Sequence, residues 1–223
     1  MKKNKIFIAC DTKNIKKAKK IIKETQTNKL KIGYKFGLEF FNSKNGRSFI
    51  SKIKDKIIFA DLKLCDIPNT CVSAINAIKD LKINYLTIHI STGLDALKAS
   101  KKVSGRTKLI GVTTLTSLDN ESLRRIGYNK NLNKLVIHQA KLAAKANLDG
   151  LVCSAHEVKY VKKIFKKEII TPGIRFDSNI NDQKRVMTPK EALKNGSDWL
   201  VIGRLITKGN IKKNLKKLIN NIN

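Results

Sequence analysis

Asp61-Leu62-Lys63-Leu64-Cys65-Asp66 sets two carboxylates around one ammonium, and Ile67-Pro68-Asn69-Thr70 follows directly. The apolar run that leads into it, Lys56-Ile57-Ile58-Phe59-Ala60, reads as a buried strand, so the charges fall where a strand hands over to a helix. In a strand, the two-residue period turns Asp61 and Lys63 toward the same side of the sheet. Isolated charges there are costly to desolvate, whereas a lysine between carboxylates is held charged and two close acids resist a further anion. The arrangement suits catalysis. A structural ion pair remains open on these residues alone, with Asp66 capping a helix that begins near Pro68 and complementing its dipole.

The elements that must position this cluster follow from the hydrophobic pattern. Apolar, β-rich runs recur at 6–10, 30–35, 56–62, 85–90, 108–113, 150–153, 168–171 and 199–202. Helical patterns lie between them, among them 14–24, 69–80, 131–147, 188–195 and 211–219. Repeated strand and helix units predict an α/β fold with a parallel sheet, and eight of them in 223 residues predict a single (β/α)8 TIM barrel over residues 1–223. No Pro/Gly/Ser-rich linker or shift in composition divides the chain, which favours one domain. In such a barrel, functional groups come from the C-terminal strand ends. Asp11, Lys35, Asp61, Lys63, His89, Thr116, Ser117, Ser154, Arg175 and Arg204 all fall at or just past predicted strand ends, which a shared pocket explains better than chance.

A formal net charge of +30 would ordinarily suggest nucleic acid or an anionic membrane. Of the 47 basic residues, however, 40 are Lys and 7 Arg, spread through every predicted helix, and aromatic residues are sparse. Polyanion recognition favours arginine interleaved with aromatics, so the charge reads as a compositional bias laid on solvated faces, with no specific nucleic-acid partner. Cys10, Cys65, Cys71 and Cys153 form no C-x-x-C pair, and three of them sit at strand ends as small buried hydrophobes. His89, His138 and His156 lie on separate elements without ligand spacing, so no metal is expected. The apolar stretch 6–10 is too short for a signal segment or a membrane span, which points to the cytoplasm.

Six motifs in order, one per strand, carry a resemblance. They are Lys35-Phe36-Gly37-Leu38-Glu39-Phe40-Phe41, Asp61 through Thr70, Gly111-Val112-Thr113-Thr114-Leu115-Thr116-Ser117, Leu151-Val152-Cys153-Ser154-Ala155, Thr171-Pro172-Gly173-Ile174-Arg175 and Asp198-Trp199-Leu200-Val201-Ile202-Gly203-Arg204. From Phe7 to about Lys208 the chain resembles the bacterial-type orotidine 5'-phosphate decarboxylases. The resemblance implies a cofactor-free decarboxylation of orotidine 5'-monophosphate to UMP, with no metal, by a homodimer. It implies that Lys35, Asp61, Lys63 and Asp66 form an alternating charged network, with Asp66 reaching into the site of the other subunit. Lys63 would donate the proton and Asp61 would face the substrate carboxylate. Arg204, Arg175 and Gln183 would grip the phosphate beside Gly203, Thr116 and Ser117 would hydrogen-bond the pyrimidine, and Asp11 would hold ribose hydroxyls. Ile67 and Thr70 complete the implied substrate contacts, while His89 is as well read as a barrel-interior histidine. Lys31-Ile32-Gly33 offers a second Lys-x-Gly, but the Gly-Leu-Glu-Phe-Phe after Lys35 selects the latter. Leu205 stands where the family usually has proline. Related sugar-phosphate enzymes share the Asp-x-Lys-x-x-Asp pattern but resemble metal-dependent catalysts, with a glutamate ligand where this chain has Lys35.

Overall fold

The computed structural model describes residues 3–176 and 186–222. Eight strands, β1 (Lys5–Ala9), β2 (Lys31–Gly37), β3 (Ile57–Leu64), β4 (Tyr85–His89), β5 (Lys108–Val112), β6 (Gly150–Val152), β7 (Glu168–Thr171) and β8 (Trp199–Ile202), close in sequence order into a parallel barrel. Helices cover the outside, and their polar faces carry the lysines. In the helix Ile15–Glu24, Ala18 and Ile21 are buried while Lys16, Lys17, Lys19, Lys20 and Lys23 are exposed. The helix Ile211–Ile222 repeats the pattern, burying Leu215, Leu218 and Ile219 under exposed Lys212, Lys213, Lys216 and Lys217. Side chains stop the helices fraying at their starts: Asn14 accepts from Lys17 N, Asn131 from Lys134 N, and Thr188 with Glu191 forms a capping box. Among the described residues no helix is long and apolar enough to cross a membrane.

The strand period explains how the barrel interior is layered. Positions 7, 9 and 11, on and just beyond β1, point inward in turn, as do 59 and 61 on β3, and 110, 112 and 114 on and just beyond β5. The lowest layer is a plug of Phe7, Phe59, Tyr85, Ile110, Ile170 and Trp199. Phe7 stacks on Trp199 with ring centroids 4.0 Å apart and meets Tyr85 edge-on at 5.1 Å. Gly33 makes room for it: a Cβ there would lie 2.6 Å from the Phe7 ring. One step up, Ala9, Val112, Val152 and Val201 form an apolar floor, and a further step brings the polar groups of the mouth.

Four local readings of the sequence need correction. The third strand does not end at residue 62 but runs to Leu64 through an irregularity, with Lys63 in the left-handed region at φ 48°. The helix predicted over 69–80 begins at Pro68, ends at Ala77 and continues as a 3-10 turn, Lys79–Leu81. Its N-cap is Ile67, without a side-chain bond, so Asp66 is not the cap; its carboxylate accepts from Ile67 N instead. Cys65, expected buried at a strand end, is exposed, while Cys71 on the helix is buried.

Candidate active site

The inward steps of β1, β2 and β3 deliver an ionic chain at the C-terminal mouth. Lys35 Nζ lies 3.0 Å from Asp11 Oδ1 and 3.3 Å from Asp61 Oδ2, and Lys63 Nζ lies 2.8 Å from Asp61 Oδ1. Burial decreases along it in both directions from the middle: side-chain exposure is 60% at Asp11, 11% at Lys35, 14% at Asp61 and 36% at Lys63. Burial disfavours charge on Lys35, yet the carboxylates of Asp61 and Asp11 outweigh it and hold the ammonium above its usual pKa. Burial likewise pushes the Asp61 carboxyl up, but Lys35, Lys63 and hydrogen bonds from Lys63 and Thr87 hold it below the usual carboxylate range. The central pair therefore stays ionised at neutral pH. Cys10, next to the chain, is pushed up to about 12 by burial and by Asp11, and is a buried apolar group rather than a nucleophile.

Lys63 does not reach Asp61 by simple alternation. Between the pairs Ala60↔Leu86 and Leu64↔Ile88, three residues of β3 stand opposite Thr87 of β4, and the left-handed turn at Lys63 takes up the excess. Non-glycine residues in that region are uncommon and cluster at functional sites.

The chain opens on a cavity of about 610 Å³, within the range of small-molecule sites. Asp11, Lys35, Asp61 and Lys63 form one wall, and Thr116 and Ser117 contribute from the segment after β5. Arg175, Gly203 and Arg204 come from the segments after β7 and β8. Buried Gln139, on the helix Leu132–Lys145, steadies the Thr116 segment: its Oε1 accepts from Thr114 N at 2.9 Å and from Thr114 Oγ1 at 3.1 Å. Gly173, at φ 76°, makes the turn that leads to Arg175. At Gly203 a Cβ would project to 3.6 Å from Asp11 Oδ2, narrowing the mouth. Leu205 occupies the first turn of the helix Arg204–Thr207, where backbone N–H groups have no intrahelical partner, so the turn forms without proline.

Asp66, Ile67 and Thr70 are exposed and do not line this chain's own cavity. His89 also stays out of it, its Nδ1 accepting from Ser91 N at 3.3 Å to cap the 3-10 turn Ile90–Thr92. Burial, and then the charge of Lys63, lowers the His89 pKa. Ser154 is buried, with its N–H donating to Glu157. Lys31, the competitor of Lys35, is exposed at the start of β2. Gln183 lies outside the described residues. Two polar residues were not singled out from sequence, Thr87 and Gln139. The first was legible by counting inward from Tyr85 in steps of two, while a lone buried glutamine in a helix carries no such signal.

A closed parallel barrel with alternating buried charges at its C-terminal mouth defines a (β/α)8-barrel enzyme. Residues 4–217 match the family described as orotidine 5'-phosphate decarboxylase / HUMPS. The chain is 44% identical over 223 residues to the orotidine 5'-phosphate decarboxylase of a Wolbachia sp. (subsp. Brugia malayi), covering 97% of each, and 44% identical to that of Ehrlichia chaffeensis, covering 92% and 90%. The crystal structure of orotidine 5'-phosphate decarboxylase from Lactobacillus acidophilus superposes with a TM-score of 0.84 at 29% identity, over 99% of both chains. This chain belongs to the orotidine 5'-phosphate decarboxylase / HUMPS family.

Proposed function

We propose that this chain decarboxylates orotidine 5'-monophosphate to uridine 5'-monophosphate and CO2 without a cofactor, the last step of de novo UMP synthesis. The observation that carries the reading is the chain Asp11–Lys35–Asp61–Lys63, with ionised Asp61 in the middle and the Lys63 ammonium at its open end. With the substrate carboxylate against Asp61, two anions share a site of low dielectric and repel. Departure of CO2 relieves that repulsion. The bond from ring carbon to carboxyl breaks, its electron pair stays on the ring carbon, and the Lys63 ammonium stabilises that charge and then gives it a proton.

The remaining contacts follow from the cavity. Arg175 and Arg204 stand on segments that in barrels commonly bind phosphate, Thr116 and Ser117 suit the pyrimidine edge, and Asp11 suits ribose hydroxyls. Gln183 completes the phosphate grip in the same reading. Asp66, Ile67 and Thr70 serve the site of a second copy in a homodimer. Their exposure supports this, as do two large apolar side chains left open to solvent: Ile67 is 66% exposed and Leu38, near Lys35 and Asp61, 53%. One catalytic barrel over residues 1–223, working in the cytoplasm, fits this activity.

The metal-dependent sugar-phosphate branch of the same barrel needs an acidic ligand at the end of β2. Lys35 fills that place, already paired to both neighbouring carboxylates, and an ammonium cannot ligate Mg²⁺. Purified protein treated exhaustively with EDTA is expected to consume orotidine 5'-phosphate, read as loss of its ultraviolet absorbance. Activity that vanished with EDTA and returned with Mg²⁺ would assign the chain to the other branch.

A further inference from the structure

The irregularity in β3 poses a backbone problem. Asp61, Leu62 and Lys63 together face a single residue of β4, so the regular ladder cannot satisfy their amides. Thr87, fully buried, answers it with its side chain. Its Oγ1 accepts from Lys63 N at 2.8 Å and donates to Asp61 Oδ1 at 3.1 Å. A hydroxyl has one hydrogen, and the amide can only donate, so the direction of both bonds is fixed. The same Asp61 oxygen receives the Lys63 ammonium at 2.8 Å. One hydroxyl thus holds the backbone of the lysine and the carboxylate of the aspartate in a closed loop with their ion pair.

We infer that Thr87 is a positioning residue of the decarboxylation site: its hydroxyl fastens the strand irregularity that turns Lys63 onto Asp61 and fixes the direction of the Asp61 carboxylate. The inference rests on the decarboxylase reading. A valine has the same shape, so it keeps the packing, but it strands the Lys63 amide and frees the carboxylate to rotate. The left-handed conformation at Lys63 then loses its tether. Misplacement of a reacting group by a fraction of an ångström lowers the rate of the chemical step, whereas substrate contacts elsewhere in the cavity keep their geometry.

Thr87→Val is expected to lower kcat about 10- to 100-fold with KM changed less than about 3-fold, while Thr87→Ser keeps kcat within about 3-fold of the wild type. The hydroxyl also helps keep Asp61 ionised, so the acid limb of the kcat profile moves to higher pH in Thr87→Val and stays in place in Thr87→Ser. A purely structural role would scale kcat with the folded fraction and leave the limb unmoved. Near-normal kcat in Thr87→Val, an equal loss in Thr87→Ser, or an unmoved acid limb would each overturn the inference. If the valine variant fails to fold by circular dichroism, Thr87→Ala removes the same hydroxyl and takes its place. A wild type that does not turn over orotidine 5'-phosphate would overturn the decarboxylase reading itself, whereas an active wild type beside a fully active Thr87→Val would overturn the inference alone.

Discussion

At the residue scale, Lys63 and Arg204 line one cavity and owe their placement to different causes. Lys63 belongs to the charge chain, so in the proposed reading its removal takes away the group that meets the reacting carbon, while Asp61 keeps its bond from Lys35. Arg204 comes from a different part of the barrel, at the start of the short helix that follows β8. In the proposed reading its guanidinium grips a phosphate that does not react, and binding of that kind is uniform through the reaction. Lys63→Ala is therefore expected to abolish turnover in a protein with a wild-type melting profile, whereas Arg204→Ala mainly raises KM for the phosphorylated substrate. Steady-state kinetics of the two variants, beside circular dichroism, decides this. Near-normal kcat in Lys63→Ala would move the proton-donor role to another group.

At the element scale, most of the barrel was legible because each strand is short, apolar and followed by an amphipathic helix. The eight strands lie within a residue or two of their expected places, and the inward step of two residues carries Asp11, Lys35 and Asp61 to the mouth as the pattern requires. The place where the pattern misled is β3. There the period of two gave the right side for Lys63 by a route the backbone does not take, since an irregularity depends on the neighbouring strand and no local pattern announces it. The foot of the barrel was also silent. Glu168, at the start of β7, accepts from Lys108 Nζ at 2.8 Å, Tyr85 Oη at 3.1 Å, Lys5 Nζ at 3.2 Å and Trp199 Nε1 at 3.3 Å, tying its own strand to four others at the foot of the barrel. Burial raises its pKa, but Lys108 and Lys5 outweigh that and hold it below its ordinary 4.5. A depressed carboxylate pKa stabilises the fold above the unfolded value, and the gain is lost as pH falls through the folded value. Glu168→Gln is expected to cost about 1–3 kcal/mol at pH 7, with a smaller difference from the wild type at pH 3. Urea unfolding at the two pH values measures it, and an equal cost at both would mean that the charge of Glu168 contributes nothing.

At the scale of the whole molecule, the excess of lysine sits on solvated outer helix faces, while the charge chain and the cavity it lines lie at one end of the barrel. That end is incomplete in a single chain under the proposed reading. Asp66 follows Lys63 by three residues, yet the strand end and the helix that starts at Pro68 carry it to the surface, where its carboxylate turns back to the amide of Ile67. With exposed Ile67 and Leu38 close in sequence to the two halves of the charge chain, a second copy is the natural cover, and each copy would lend its Asp66 to the other. Two inactive variants then test the arrangement. An Asp66→Ala chain retains Lys63 and a Lys63→Ala chain retains Asp66, so a mixed dimer holds one complete site and one that lacks both groups. After subunit exchange, activity is expected to rise from near zero toward about a quarter of the wild-type rate, since random pairing makes about half the dimers mixed and each has one working site of two. Exchange itself is followed by tagging one variant and recovering the other with it. Proven exchange without recovered activity would place Asp66 outside the partner's site, and the network of Lys35, Asp61, Lys63 and Asp66 would lose its last member.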